Sequence, residues 1–220
     1  MGKLKGMLIA TIFAVIATPL FAGSDDFAGP YIGITGSTTA VELDGSSTDS
    51  NSQVQKGKAG MFAIAAGAEL GYSVPVSDVM LVTIGVSMNP GDAKFKVEGG
   101  GSANTTNSDV TVDLSDLMTA FIAPTFAISE SAAVYFKVGY TEADLSVKGD
   151  VTKVSSIEGT TVAIGTKSLL PNGVFIQTEA GMTEYDQVKF TGLGTYIATT
   201  NSATVDPTQA YGSVTLGYKF

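Results

Sequence analysis

Phe62-Ala-Ile-Ala-Ala-Gly-Ala-Glu-Leu-Gly-Tyr-Ser-Val74 is the stretch whose reading decides the fold. Phe62, Ile64, Ala66, Ala68, Leu70, Tyr72 and Val74 fall on one face of an extended strand, and Ala63, Ala65, Gly67, Glu69, Gly71 and Ser73 on the other. Side chains alternate across a strand with a period of two, so this is a strand pattern. A soluble sheet hides its apolar face and shows water a charged one. Here the second face is small residues and one carboxylate. That makes a poor solvent surface and a good filling for a narrow bore, which leaves the apolar face for lipid.

The pattern repeats along the chain. Met80, Val82, Ile84, Val86 and Met88 alternate with Leu81, Thr83, Gly85 and Ser87. Val134, Phe136, Val138 and Tyr140 alternate with Tyr135, Lys137, Gly139 and Thr141. Val174, Ile176, Thr178, Ala180 and Met182 alternate with Phe175, Gln177, Glu179 and Gly181. Val214, Leu216, Tyr218 and Phe220 alternate with Ser213, Thr215, Gly217 and Lys219. Less regular strands are expected near 30–43, 110–125 and 159–170, which makes eight. In a bilayer every backbone group must be paired within the protein, so such a sheet has to close on itself, and strands of about 9–11 residues suffice to cross.

The connections agree. Short turns are expected at Ser73–Asp78, Ile128–Ser131 and Leu169–Gly173, the last holding Pro171-Asn172-Gly173. Between them lie long polar segments at about 44–58, 89–109, 142–158 and 185–207, and long and short alternate strictly, as in an up-and-down transmembrane β-barrel. Fifteen of the 21 acids fall in the long segments or the strand tips beside them, among them Asp44, Asp92, Asp113, Asp144, Asp150, Asp186 and Asp206. Lys94–Glu98 and Asp109–Leu114 allow an added hairpin and ten strands; they read better as extensions of strands three and four. With no Trp, interface girdles fall to Tyr72, Phe126, Tyr135, Phe136, Tyr218 and Phe220 beside the turns, and to Phe62, Phe121, Tyr140 and Tyr185 nearer the loops.

Composition points the same way. Charged residues are 15% and hydrophobic residues 44% of the chain, Gly numbers 26, and mean hydropathy is +0.27. This is too apolar for disorder, yet beyond the N-terminus no run approaches the ~20 apolar residues of a membrane helix. The chain lacks Cys and His, and all 12 basic residues are Lys, which removes disulfides, thiolate ligands, the commonest general base and bidentate Arg recognition. A net charge of −9 and a pI near 4.3 argue against nucleic acid as a partner. No cofactor or metal is expected.

Residues 1–22 read as a secretory signal: Lys3 and Lys5, the apolar run Met7–Ala17, then Thr18-Pro-Leu-Phe-Ala22 before a cut at Ala22/Gly23. Cleavage would leave 10 lysines against 21 acids, a charge of −11. The competing reading, an uncleaved anchor, suits a longer run than one ending in Pro19. Residues 23–220 are then the barrel domain.

Gly29-Pro-Tyr-Ile-Gly33, Ala68-Glu-Leu-Gly-Tyr72, Lys137-Val-Gly-Tyr140 and Thr215-Leu-Gly-Tyr-Lys-Phe220 resemble small bacterial outer-membrane β-barrels of the OmpA transmembrane-domain or opacity-protein type. The resemblance covers about 29–220 and implies a Gram-negative outer membrane. It also implies that Val214, Leu216, Tyr218 and Phe220 resemble the C-terminal signal read by the barrel-assembly machinery, although the usual Gly five residues before the end is Thr215 here. No peptidoglycan-binding domain is expected after the barrel, unlike full-length OmpA proteins.

Eight strands leave a bore just wide enough for side chains. Glu69, Lys137, Lys167 and Glu179 fall on inward parities and are expected to pair, because an unpaired buried charge is costly. The plainer reading is a structural plug; the sharper one is a gate for ions or small solutes. The acid pairs Glu142/Asp144 and Glu184/Asp186 share strand-tip faces and could do acid–base work or bind Ca²⁺, but read more simply as solvated tips. Glu98-Gly-Gly-Gly-Ser102 lacks the residues of a phosphate loop. The expected function is non-enzymatic: a lipid-embedded barrel showing acidic loops to an unknown extracellular ligand, in adhesion or envelope integrity. The alternatives are a narrow channel and, more remotely, a soluble lipocalin-like barrel.

Overall fold

The computed structural model describes residues 23–48, 54–91, 93–97, 110–148, 155–191 and 202–220. The expected signal at 1–22, the Gly-rich run 98–102, Asp92 and Asp150 lie outside these residues. The described chain is almost all strand: β1 Gly29–Thr48, β2 Val54–Ser77, β3 Met80–Asn89, β4 Ala93–Val97, β5 Val110–Ser129, β6 Ala132–Lys148, β7 Ser156–Leu169, β8 Val174–Tyr185, β9 Val188–Thr191 and β10 Ser202–Lys219. Every pairing is antiparallel, and β1 pairs β10 from Tyr31↔Lys219 to Thr48↔Ser202, which closes the sheet into a barrel.

Ten strand segments make eight staves. Pro90 and Gly91 interrupt the third stave after Asn89 because proline cannot donate to the ladder, and β4 resumes along the same edge of β5, with Asn89↔Leu117 followed by Ala93↔Leu114. In the same way β9 continues β8 along β10. The residues 93–97 and 110–114 therefore extend strands three and four. The sheet parts between β2 and β3 just above Ala68↔Met88.

The short turns fall at Asp78–Val79, Glu130–Ser131 and Leu170–Gly173. The first comes later than the expected 73–78, because β2 stays paired to Ser77 through a bulge at Pro75. At the third, Asn172 and Gly173 take positive φ values of 69° and 79°, a backbone these two residue types tolerate.

The two faces are inverted relative to a soluble protein. Ile34, Ile64, Ile84, Ile122, Ile164, Ile176 and Leu216 stand exposed around the outside, Ile64 at 88%, while Glu69 inside is exposed at 4%. The bore is kept narrow by a recurring pairing. Tyr31, Phe121, Tyr135, Phe175, Tyr185 and Tyr211 point inward, and each sits directly opposite a glycine of a neighbouring strand: Gly71, Gly85, Gly165, Gly217, Gly159 and Gly181. At each of these glycines a Cβ would collide with the aromatic ring opposite. A glycine beside each ring makes room that eight strands otherwise lack. This corrects the girdle assignment for Phe121, Tyr135 and Tyr185, which are buried inside the bore: strand parity, not height along the strand, decides which way a ring points.

Candidate functional site

The lumen is filled in tiers. At the turn end a short 3-10 turn, Ser24–Phe27, folds across the mouth. The Ser24 N–H donates to the Asp78 carbonyl at 2.9 Å and its hydroxyl to the Ser77 carbonyl at 2.7 Å. These bonds seat Phe27 on Leu81, Ala127 and Ala133, with Ala28 and Leu169 beside it. Sequence reasoning missed this stopper, since a lone Phe ahead of the first strand carries no periodic signal.

Above it lies the charged tier. Lys137 on β6 reaches two walls at once: its Nζ is 3.0 Å from Glu69 Oε2 on β2 and 2.6 Å from Glu179 Oε2 on β8. The remaining carboxylate capacity is taken up by neutral donors. Tyr31 donates to Glu69 Oε1 at 2.9 Å and Gln177 to the same oxygen at 3.1 Å. Tyr135 donates to Glu179 Oε2 at 2.7 Å and Tyr211 to Oε1 at 2.8 Å. The Lys137 ammonium also lies 4.1 Å from the centre of the Phe121 ring. A buried ion pair is tolerable when hydrogen bonds satisfy the lone pairs left over, and here both carboxylates are so served.

Lys167 departs from the expectation that all four charges pair. Its Nζ sits 3.7 Å over the Tyr31 ring and 4.6 Å from the Phe175 ring, and among the described residues it has no carboxylate partner within salt-bridge distance. Lys137 already occupies the space between the two acids.

Towards the loop end the walls are hydroxylic. Thr119, Thr141, Thr161 and Thr183 link hand to hand across β5, β6, β7 and β8 at 2.8, 2.5 and 2.7 Å. Thr35 and Thr215 meet at 2.8 Å on the other side. Above them Tyr185 donates to Gln209 and packs with Ala143, Ile157 and Val188. The charged tier divides the bore into two small spaces: about 50 Å³ on the loop side, bordered by Glu69, Glu179, Lys137 and the threonines, and about 10 Å³ on the turn side, bordered by Lys167, Lys137, Glu69 and Phe27.

The other singled-out residues lie elsewhere. Glu142, Asp144, Glu184 and Asp186 are exposed at the outer rim, where Glu142 faces Glu158 across the β6–β7 ladder and Tyr140 donates to Glu158. Further out Lys58 bridges Glu42 at 2.6 Å and Asp44 at 3.2 Å. These two carboxylates hold the exposed Lys58 ammonium above its ordinary pKa, chiefly through the hydrogen bond to Glu42. Val214, Leu216 and Tyr218 project outward on β10, and Phe220, just past its end, is exposed as well.

Comparison with known proteins follows the same lines. Residues 8–220 match the family model described as outer membrane protein beta-barrel domain. Among curated proteins none matches the sequence. Among solved structures, the outer membrane protein OprG from Pseudomonas aeruginosa is similar at a TM-score of 0.58 and 15% identity, over 91% of this chain and 99% of that one. Ail, the attachment invasion locus protein of Yersinia pestis, gives a TM-score of 0.43 at 12% identity, over 86% and 99%. The outer membrane protease OmpT from Escherichia coli gives 0.49 at 9%, over 87% and 97%. At such identities the OprG likeness speaks for the fold alone, while the match over 8–220 speaks for kinship: the chain belongs to the outer membrane protein beta-barrel domain family.

Proposed function

We propose that this barrel works without enzymatic chemistry in the outer membrane of a Gram-negative bacterium, as a plugged scaffold that holds long acidic hairpins out to an extracellular ligand, in adhesion or envelope integrity. In this reading the chain is exported by the signal at 1–22, cut at Ala22, and assembled through the outward edge of Val214, Leu216, Tyr218 and Phe220. The observation that carries it is Lys137 held between Glu69 and Glu179, which sets three linked charged side chains across the middle of the bore. The walls supply the rest. β2 has 24 residues, roughly 79 Å at about 3.3 Å per residue, where about 9–11 cross the bilayer core. The surplus lies at the loop end.

Planar-bilayer conductance tests the plug. Near-zero conductance is expected for both the wild type and Lys137→Ala. The second reading, a narrow channel for ions or small solutes, draws on the same lysine: one side chain spans two opposite walls, so its swing alone would part them. Steady wild-type conductance that rises in Lys137→Ala would favour the channel and displace the scaffold.

A further inference from the structure

Lys167 is the least explained charge in the molecule. Its side chain is exposed at 8%, and it borders the small space between the charged tier and Phe27. An ammonium carries three donors and no acceptor. Among the described residues none of the three meets an acceptor, and its contacts are the faces of Tyr31 and Phe175. Ring faces stabilise a cation but leave its N–H groups unanswered, and a buried unpaired charge is costly.

The space it borders has the opposite sign from the one above. On the turn side two ammonium groups, Lys137 and Lys167, face one carboxylate, Glu69, whereas Glu179 borders the loop-side space. Glu69 Oε1 is already engaged by Tyr31 and Gln177, and Oε2 by Lys137. Hydroxyls are at hand in the same wall: Ser73, Thr83 and Thr125 form a chain at 2.9 and 3.4 Å. Thr125 donates to the Ala123 carbonyl at 3.1 Å, so with Thr83 donating to Ser73 the chain leaves one hydroxyl hydrogen, that of Ser73, to give. The free volume is about 10 Å³, close to the room one water-sized body needs. That room suits a monatomic anion better than sulfate, phosphate or an organic carboxylate. Phe27 lines the space at its turn end.

We propose that this chamber is a binding site for one small monovalent anion of halide size, held by Lys167 and a neighbouring hydroxyl beneath the Glu69–Lys137–Glu179 tier. The site does not depend on whether the barrel adheres or conducts. An anion there would answer the free N–H groups of Lys167.

The test uses the full mature chain folded in detergent in sodium gluconate, with bromide added at constant ionic strength. The midpoint of thermal unfolding, read by the mobility shift of folded against boiled barrel, is expected to rise and saturate with bromide and to ignore sulfate. The rise is expected to vanish in Lys167→Met, which keeps the volume and removes the charge. Crystals grown with bromide are expected to show an anomalous peak at hydrogen-bond distance from Lys167 Nζ. An unfolding midpoint indifferent to bromide, or an anomalous map with water alone in the chamber, would overturn the proposal. The wild-type map decides the matter should Lys167→Met fail to fold.

Discussion

The Tyr135 ring lies across Gly165, its direct partner on β7, so closely that a Cβ on Gly165 would come within 2.3 Å of the ring. The same tyrosine donates to Glu179, so the glycine sets the position of a ligand of the charged tier. Gly165→Ala is therefore expected to push Tyr135 off its carboxylate as well as to overpack the bore, at a cost of about 1–3 kcal/mol. Gly36→Ala is the control, because a Cβ at Gly36 meets nothing within 4 Å. Urea unfolding of both variants in detergent checks the contrast; equal midpoints would show that the ring does not rely on the missing Cβ.

The triad itself makes a sharper prediction. Removing one partner of a buried ion pair leaves a bare charge and costs about 3–5 kcal/mol, whereas removing all charges together can be nearly neutral. Lys137→Met leaves Glu69 and Glu179 with tyrosine and glutamine donors but no cation within salt-bridge distance, and is expected to show the large loss. Adding Glu69→Gln and Glu179→Gln to Lys137→Met is expected to restore much of it. A triple variant less stable than Lys137→Met alone would mean that the carboxylates are held mainly by Tyr31, Tyr135, Tyr211 and Gln177.

The parity of the walls could be read from alternation, because one property, apolar or small, recurs every second residue over long runs such as 62–74 and 80–88. That alone put Glu69, Lys137, Lys167 and Glu179 on the inner face. Which of them touch could not be read. Contact across the bore depends on the stagger of strands that are not neighbours in sequence, and on how far each side chain reaches. Lys137 reaches both acids; Lys167, on the next strand, reaches aromatic faces instead. Phe121, Tyr135 and Tyr185 were assigned to the interface for a related reason. A tyrosine suits both a lipid interface and a crowded bore, and what separates the two is a glycine on the neighbouring strand, visible once the register pairs Tyr31 with Gly71 or Tyr211 with Gly181.

The stopper can be tested apart from the triad. Phe27 holds its place by packing on Leu81, Ala127 and Ala133, while Ser24 fastens the turn to the Ser77 and Asp78 carbonyls. Phe27→Ala removes the packing and leaves the fastening. The loss of stability is expected to reach up to about 3 kcal/mol, the lower part of the range for such truncations, because the site lies at the barrel mouth where the chain can relax. Limited proteolysis is expected to cut the segment ahead of β1 faster in Phe27→Ala than in wild type, with the barrel intact. Unaltered cleavage would mean that the Ser24 bonds alone keep the mouth closed.

The last prediction concerns which face meets lipid. Ile84 and Thr83 are neighbours on β3, one exposed outward and the other buried against Ser73 and Thr125. A lysine on the lipid face near the midplane of a barrel costs about 2–4 kcal/mol, because its ammonium must leave water for hydrocarbon or drag the interface toward it. Ile84→Lys and Val138→Lys are both expected to show this loss in bilayers and to lose most of it in detergent micelles, where the head group finds water close by. Thr83→Lys is expected to fail differently. It crowds a chamber that already holds Lys137 and Lys167, so its cost is the same in either environment. Equilibrium unfolding of the three variants in vesicles and in micelles separates the two behaviours. If Thr83→Lys proved the lipid-sensitive one, the faces would be reversed, and with them the inward placing of every charged residue in the bore.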